Sequence, residues 1–222
     1  GDARWFESLA MSPDESNDAP APAVLLPADR RTSRRVALTP SGGESVAVAA
    51  RQFFAMEGEG GTSRGQAIHR LLAMVSWLED MDLSKLRAEM LAGETDETWV
   101  EVALATATAS ELEGIFRRQD GGMIDLWRER SFEVVLADSW VTGVFDRVMV
   151  WRQADGRAER ATVVDFKTDA VDSAERLLEA IERHRSQLEI YRKAVARLTR
   201  LPMELVDAQI VFTGIARAVR LE

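Results

Sequence analysis

Near residue 130 the apolar period of this chain changes from helical to extended, and that change sets the fold class. Upstream, TSRGQAIHRLLAMVSWLEDM (62–81) carries apolar residues at 67, 68, 71, 72, 75 and 78, the spacing of a helix with one buried face. Thr62 or Ser63 stands where a cap would accept the first backbone N–H bonds. A second helical stretch is expected over 84–91. A third, broken one is expected over 95–118, ahead of Gly121-Gly122. Downstream come SFEVVLA (131–137), WVTGVFDRVMVW (140–151) and ATVVDFKT (161–168), rich in Val and Phe, which read as strands. Asp138-Ser139 joins the first two tightly, and QADGRAER (153–160) is a polar hairpin loop with an Asp-Gly turn. A long helix over 172–199 follows, with a core-facing stripe at 177, 181, 184, 188, 191, 195 and 198. The tail VDAQIVFTGIARAVRLE reads as a strand, a turn near Gly214 and a last strand. Helices, three antiparallel strands, a helix and further strands make an α/β fold, a mixed sheet flanked by helices.

Residues 1–62 have a different texture. MSPDESNDAPAPAVLLPADRRTSRR is the composition of a linker, ending in Arg30, Arg31, Arg34 and Arg35. A short helix is plausible over 44–56, between Gly/Ser clusters. We expect a partly flexible N-terminal extension over 1–62 and a folded domain over 63–222. The first residue is Gly1 rather than Met, which suits a piece of a longer protein.

The strand candidates carry the chemistry. Side chains alternate faces along a strand, so Asp165 and Lys167 share a face with Val163, and Phe166 points the other way. By the same rule Asp146 shares a face with Val144 and Val148. Adjacent strands thus each set a carboxylate inside an apolar run. A buried, unpaired carboxylate costs several kcal/mol unless a partner or a metal satisfies it. Lys167 satisfies part of that need. A divalent cation satisfies more, since hard cations prefer oxygen ligands. Such a set suits metal-assisted hydrolysis of a phosphodiester, with a lysine to stabilise developing negative charge. A D-x-K triplet alone is usually an ordinary ion pair at a strand end, because three-residue patterns recur by chance.

Further pieces stand around it: GQAIH at 65–69, RERSF at 128–132, GVFD at 143–146, VVDFKT at 163–168 and HRSQLEIY at 184–191. In this order and spacing the chain resembles the RecB/AddA-like nucleases of the PD-(D/E)XK superfamily, which lie C-terminal to UvrD/Rep-type helicase motors. The resemblance spans about 62–222. It implies a restriction-endonuclease-like (PD-(D/E)XK) fold and a metal-dependent DNase acting in double-strand break repair and recombination. It further implies that His69, Asp146, Asp165 and the backbone carbonyl of Phe166 bind Mg²⁺ or Mn²⁺, and that Lys167 is the catalytic lysine. Glu129 takes the place of an early glutamate, and Gln187 and Tyr191 that of a Q-x-x-x-Y pair shaping the site. His184 falls where the family often has Tyr and is a candidate for the site wall.

Composition bounds this reading. The chain has no cysteine, which excludes the iron–sulfur cluster of some relatives and suits a reducing, cytoplasmic setting. No stretch approaches the roughly 18 apolar residues of a membrane span. No GxxxxGK[ST] loop is present, so this piece should neither bind nor hydrolyse ATP by that route, and the resemblance implies a helicase motor upstream in the same polypeptide. The charge, 28 basic against 37 acidic residues or -9, does not by itself advertise a polyanionic partner. Arg183, Arg185, Arg192, Lys193, Arg197 and Arg200 give the long helix a basic flank that could meet phosphates. The partner implied is DNA, single-stranded as a motor would deliver it, with a second helicase–nuclease subunit also possible. Two alternatives remain: a catalytically weak DNA-guiding or subunit-docking module, and a stand-alone nuclease of mobile DNA.

Overall fold

A computed structural model describes residues 37–38, 59–93, 96–119, 122–137 and 139–221. All belong to the unit Arg35–Glu222. The helix expected over 44–56 and the Arg30–Arg35 cluster lie outside the described residues. In chain order the elements are β1 (Ala37–Leu38), α1 (Glu59–Met74), α2 (Leu83–Gly93), α3 (Glu97–Thr108), α4 (Glu113–Phe116), β2 (Met123–Leu136), β3 (Ser139–Arg152), β4 (Ala158–Lys167), α5 (Ala174–Thr199), β5 (Val206–Phe212) and β6 (Arg217–Arg220). The expected α/β order is there. β1 comes from the stretch read as linker, and it pairs in parallel with β3. None of the described helices is long and apolar enough to cross a membrane.

Local chemistry accounts for the helix limits. Asp96 caps α3 by accepting from the Thr98 N–H at 2.9 Å, and the helical run breaks at Ala109, whose backbone is extended. Ser173 caps α5 through the Arg176 N–H, and Arg200 ends it in the left-handed conformation. α1 departs from expectation: it starts at Glu59, so Thr62 and Ser63 lie inside its first turns rather than at its cap. First-turn N–H groups need no partner within the helix, so Gly60-Gly61 is tolerated there. On α5 the stripe is buried through Val195, but Leu198 is 43% exposed. β2 starts eight residues before the expected 131, at Met123. Its charged residues are compatible with a strand because, among the described residues, it pairs only with β3 and turns side chains to solvent.

β3 organises the sheet. On one side it pairs with β2 from Ser139 to Arg152. On the other it pairs with β1 at Trp140-Val141 and with β4 from Arg147 to Arg152. Residues 142–146 therefore have no strand on that second side among the described residues, and a notch opens between β3 and the end of β4. β4 continues in parallel with β5 through α5, which covers one face of the sheet. The helices α1–α4 cover the other face, giving two apolar cores.

Strict alternation fails at the notch. The expected common face for Val144, Asp146 and Val148 is not observed: Val144 is 39% exposed and Val148 fully buried. Phe145, Val148 and Val150 all join the core under α5. On β2, Leu126 packs toward the α1–α4 core, whereas Phe132 and Val134 pack under α5. The reversal falls where Glu129 faces Asp146, between the pairs Arg128↔Arg147 and Arg130↔Phe145. Glu129 has φ 42°, and that left-handed residue resets the pleat.

Candidate metal centre

The notch brings the charged groups together. Where the β3–β4 ladder stops at Arg147↔Val164, the Asp146 side chain takes over: its Oδ2 accepts the Phe166 N–H at 2.7 Å. Its Oδ1 lies 3.1 Å from His69 Nδ1, offered by α1. α1 passes close to the end of β4 at Gly65, where a Cβ would sit 3.3 Å from Thr168 Oγ1 and press that side chain aside. Asp165 is 2% exposed and pairs with Lys167, Oδ2 to Nζ at 3.0 Å. The alignment does not make a hydrogen bond, so Asp165 Oδ2 is buried without one. Lys167 Nζ donates to Gln187 Oε1 at 2.9 Å, and Gln187 Nε2 donates to Tyr191 Oη at 3.2 Å. Tyr191 is wedged edge-on against Phe132 and Phe145, so the aromatic core fixes the amide that fixes the lysine.

The electrostatics follow from burial against charge. For His69 desolvation lowers the pKa, but the Asp146 charge and hydrogen bond, with the Asp165 charge, outweigh it and leave the imidazole raised. Desolvation also opposes ionisation of Asp146, yet His69, the Phe166 N–H and Lys167 hold it below the usual range. Asp165 goes up instead, by desolvation against the pull of Lys167 and with the Asp146 charge added. Lys167 is raised despite its desolvation by the two carboxylates. Desolvation and the Asp146 charge push Glu129 up. Three carboxylates thus face one ammonium and one imidazole, a balance that favours a cation.

His69, Glu129 and Asp146 can each bring one ligand atom within 4.8 Å of the others. Asp165 stands outside that group, its buried Oδ2 in an ion pair with Lys167. Carboxylate oxygens with a single imidazole suit Mg²⁺ or Mn²⁺, so the donor set fits a divalent ion. Of the Phe166 backbone the structure engages the N–H with Asp146; its carbonyl enters no described contact with the acids.

Residues 38–220 match the PD-(D/E)XK nuclease superfamily, and the chain belongs to it. No curated protein matches the chain significantly. Members of this superfamily are typically nucleases that use divalent metal ions, which agrees with the donor set in the notch.

Other candidates sit differently. His184 is buried one turn before Gln187 and faces Asp169, Nε2 to Oδ2 at 3.1 Å. Asp169, just past the lysine strand, went unnoticed in sequence; its hydrogen bond with His184 and the Arg183 charge hold its carboxyl low. The basic flank of α5 is partly committed elsewhere. Arg183 binds Asp169, Arg185 binds Glu182, and Arg192 donates to the carbonyls of Val206 and Met203. A cavity of 330 Å³ opens at the other end of β3 and β4, lined by Trp151, Arg160 and Thr162 among others, and contains none of the candidate residues.

Proposed function

We propose that this domain is a Mg²⁺- or Mn²⁺-dependent deoxyribonuclease, RecB/AddA-like within its superfamily, working beside a helicase motor in double-strand break repair and recombination. The observation that carries it is the buried Asp146–His69 and Asp165–Lys167 pairs facing each other across a notch between strands. His69, Glu129, Asp146 and Asp165, with the Phe166 carbonyl, are the proposed ligands. A bound divalent ion would lower the pKa of water and neutralise the leaving oxygen.

The chain's own groups do the rest. Water adds to phosphorus, a P–O ester bond breaks, and water's proton ends on the departing oxygen or on solvent. Lys167 Nζ donates to the non-bridging oxygens as their charge grows, and Gln187 and Tyr191 hold it on line. In this reading 63–222 is the catalytic body and 1–62 an extension, the substrate is single-stranded DNA, and the setting is cytoplasmic. The open notch suits a polymer strand better than an enclosed small molecule.

Labelled single- and double-stranded DNA incubated with and without Mg²⁺ or Mn²⁺ tests this. Asp165→Ala should abolish metal-dependent cleavage while the fold persists. Cleavage by that variant at the wild-type rate would refute the assignment. The rival docking module requires no acid–acid–lysine set, and it predicts no metal-dependent cleavage by the wild type.

A further inference from the structure

Glu129 has a second consequence. Strict alternation would set Trp127 and Arg130 on opposite faces of β2. The reversal at Glu129 brings them onto one, and the Arg130 guanidinium lies 4.2 Å from the Trp127 ring centroid. Arg130 is exposed and Trp127 half-buried. No carboxylate pairs with Arg130 among the described residues.

This stack is the outer end of a series of ring contacts that runs through the core to the site. Trp127 is 6.2 Å from Phe145, and Phe145 is 5.5 Å from Tyr191. Tyr191 bonds Gln187, and Gln187 holds Lys167. Glu129 itself stands between Trp127 and Arg130 in sequence and belongs to the group able to share a cation. A flat cation on a flat ring, its guanidinium exposed and adjacent in sequence to Glu129, matches a ligand with a π-face and a phosphate. A base inside a duplex is already stacked on both sides, so only an unpaired base can lie on such a surface.

Resting on the nuclease reading above, we propose that Trp127 and Arg130 bind an unpaired nucleotide next to the scissile phosphate, and so favour single-stranded over duplex DNA at this site. Fluorescence anisotropy with a labelled oligothymidylate and a blunt duplex, Ca²⁺ replacing Mg²⁺, tests it. Arg130→Ala should weaken single-strand binding roughly tenfold and duplex binding by less than about twofold, as loss of one stacked base predicts. Arg130→Lys, which keeps the charge but not the plane, should recover only part of that loss. Trp127→Phe, which preserves an aromatic ring against Phe145, should weaken single-strand binding by a smaller factor. Thermal melts should leave Arg130→Ala with the wild type, since that side chain is exposed.

No loss, equal loss on both DNAs, or full recovery by lysine would overturn the proposal, the last two by reducing Arg130 to a phosphate contact. A wild type that binds single strands with this pattern but cuts nothing with Mg²⁺ or Mn²⁺ would break the nuclease reading alone. A wild type that binds neither DNA would overturn both.

Discussion

Asp146 and Arg147 are neighbours in sequence, both charged and both buried, yet they meet opposite fates. Arg147 is 1% exposed and fully engaged: Nε donates to the Ile115 carbonyl, and its two terminal nitrogens to those of Val75 and Ser76. Trp77 and Phe116 flank the guanidinium. Among the described residues no carboxylate balances it, and desolvation, helped by the Arg128 charge, lowers its pKa to about 9. It ties the chain after α1 and the turn of α4 to the sheet. Asp146 faces the notch, where its partners are themselves ionisable and the acids outnumber the bases. A buried charge saturated by fixed dipoles is structural. One left in a group with surplus like charge is available for a ligand.

Substitutions can break or sharpen that contrast. Lys167→Met should show the largest effect, lowering kcat about a hundredfold to a thousandfold in a protein that still folds. Steady-state cleavage and a thermal melt measure the two sides. Arg147→Ala should do the reverse, costing several kcal/mol, about 1–3 for each of the buried carbonyls left unpaired. For a domain of this size that lowers Tm by roughly 10 °C. If Arg147→Ala melted like the wild type, the structural half of the contrast would fail.

Asp165→Asn should be smaller and opposite in sign. The native carboxyl is raised above its unfolded value, so the folded state binds its proton more tightly. Without metal, ionised Asp165 therefore costs stability as pH rises above the ordinary aspartate range. In EDTA at neutral pH the variant should gain about 1 kcal/mol while losing cleavage. Chemical denaturation at several pH values checks it, and the gain should vanish at acid pH. Asp169→Asn should cost least, under about 1 kcal/mol, since Asp169 is partly exposed. Its native carboxyl is lowered, so the wild-type advantage is present at neutral pH and disappears as pH falls through that lowered value.

The contrast also explains what could be read in advance. The period change near residue 130 and the Val/Phe runs predict the mixed sheet, because burial on two faces demands them. The faces of Asp165, Lys167 and Phe166 follow alternation, because β4 is regular to its end. The meeting of His69 with Asp146 rested on resemblance alone, since a contact across 77 residues has no local signature. The Glu129 reversal is a single backbone torsion, and nothing in RERSF announces it. Arg147 leaves a signal of its own: an arginine inside the apolar run VFDRVMVW is a candidate for burial, and a buried guanidinium must find acceptors.

The most direct test of the central claim is a Mn²⁺ titration of the wild type and of Asp146→Asn, followed by electron paramagnetic resonance. The account predicts saturable binding by the wild type and its loss in the variant, with both proteins folded. Equal, saturable binding by the two would mean that the cation, if one is used, is held somewhere other than the notch.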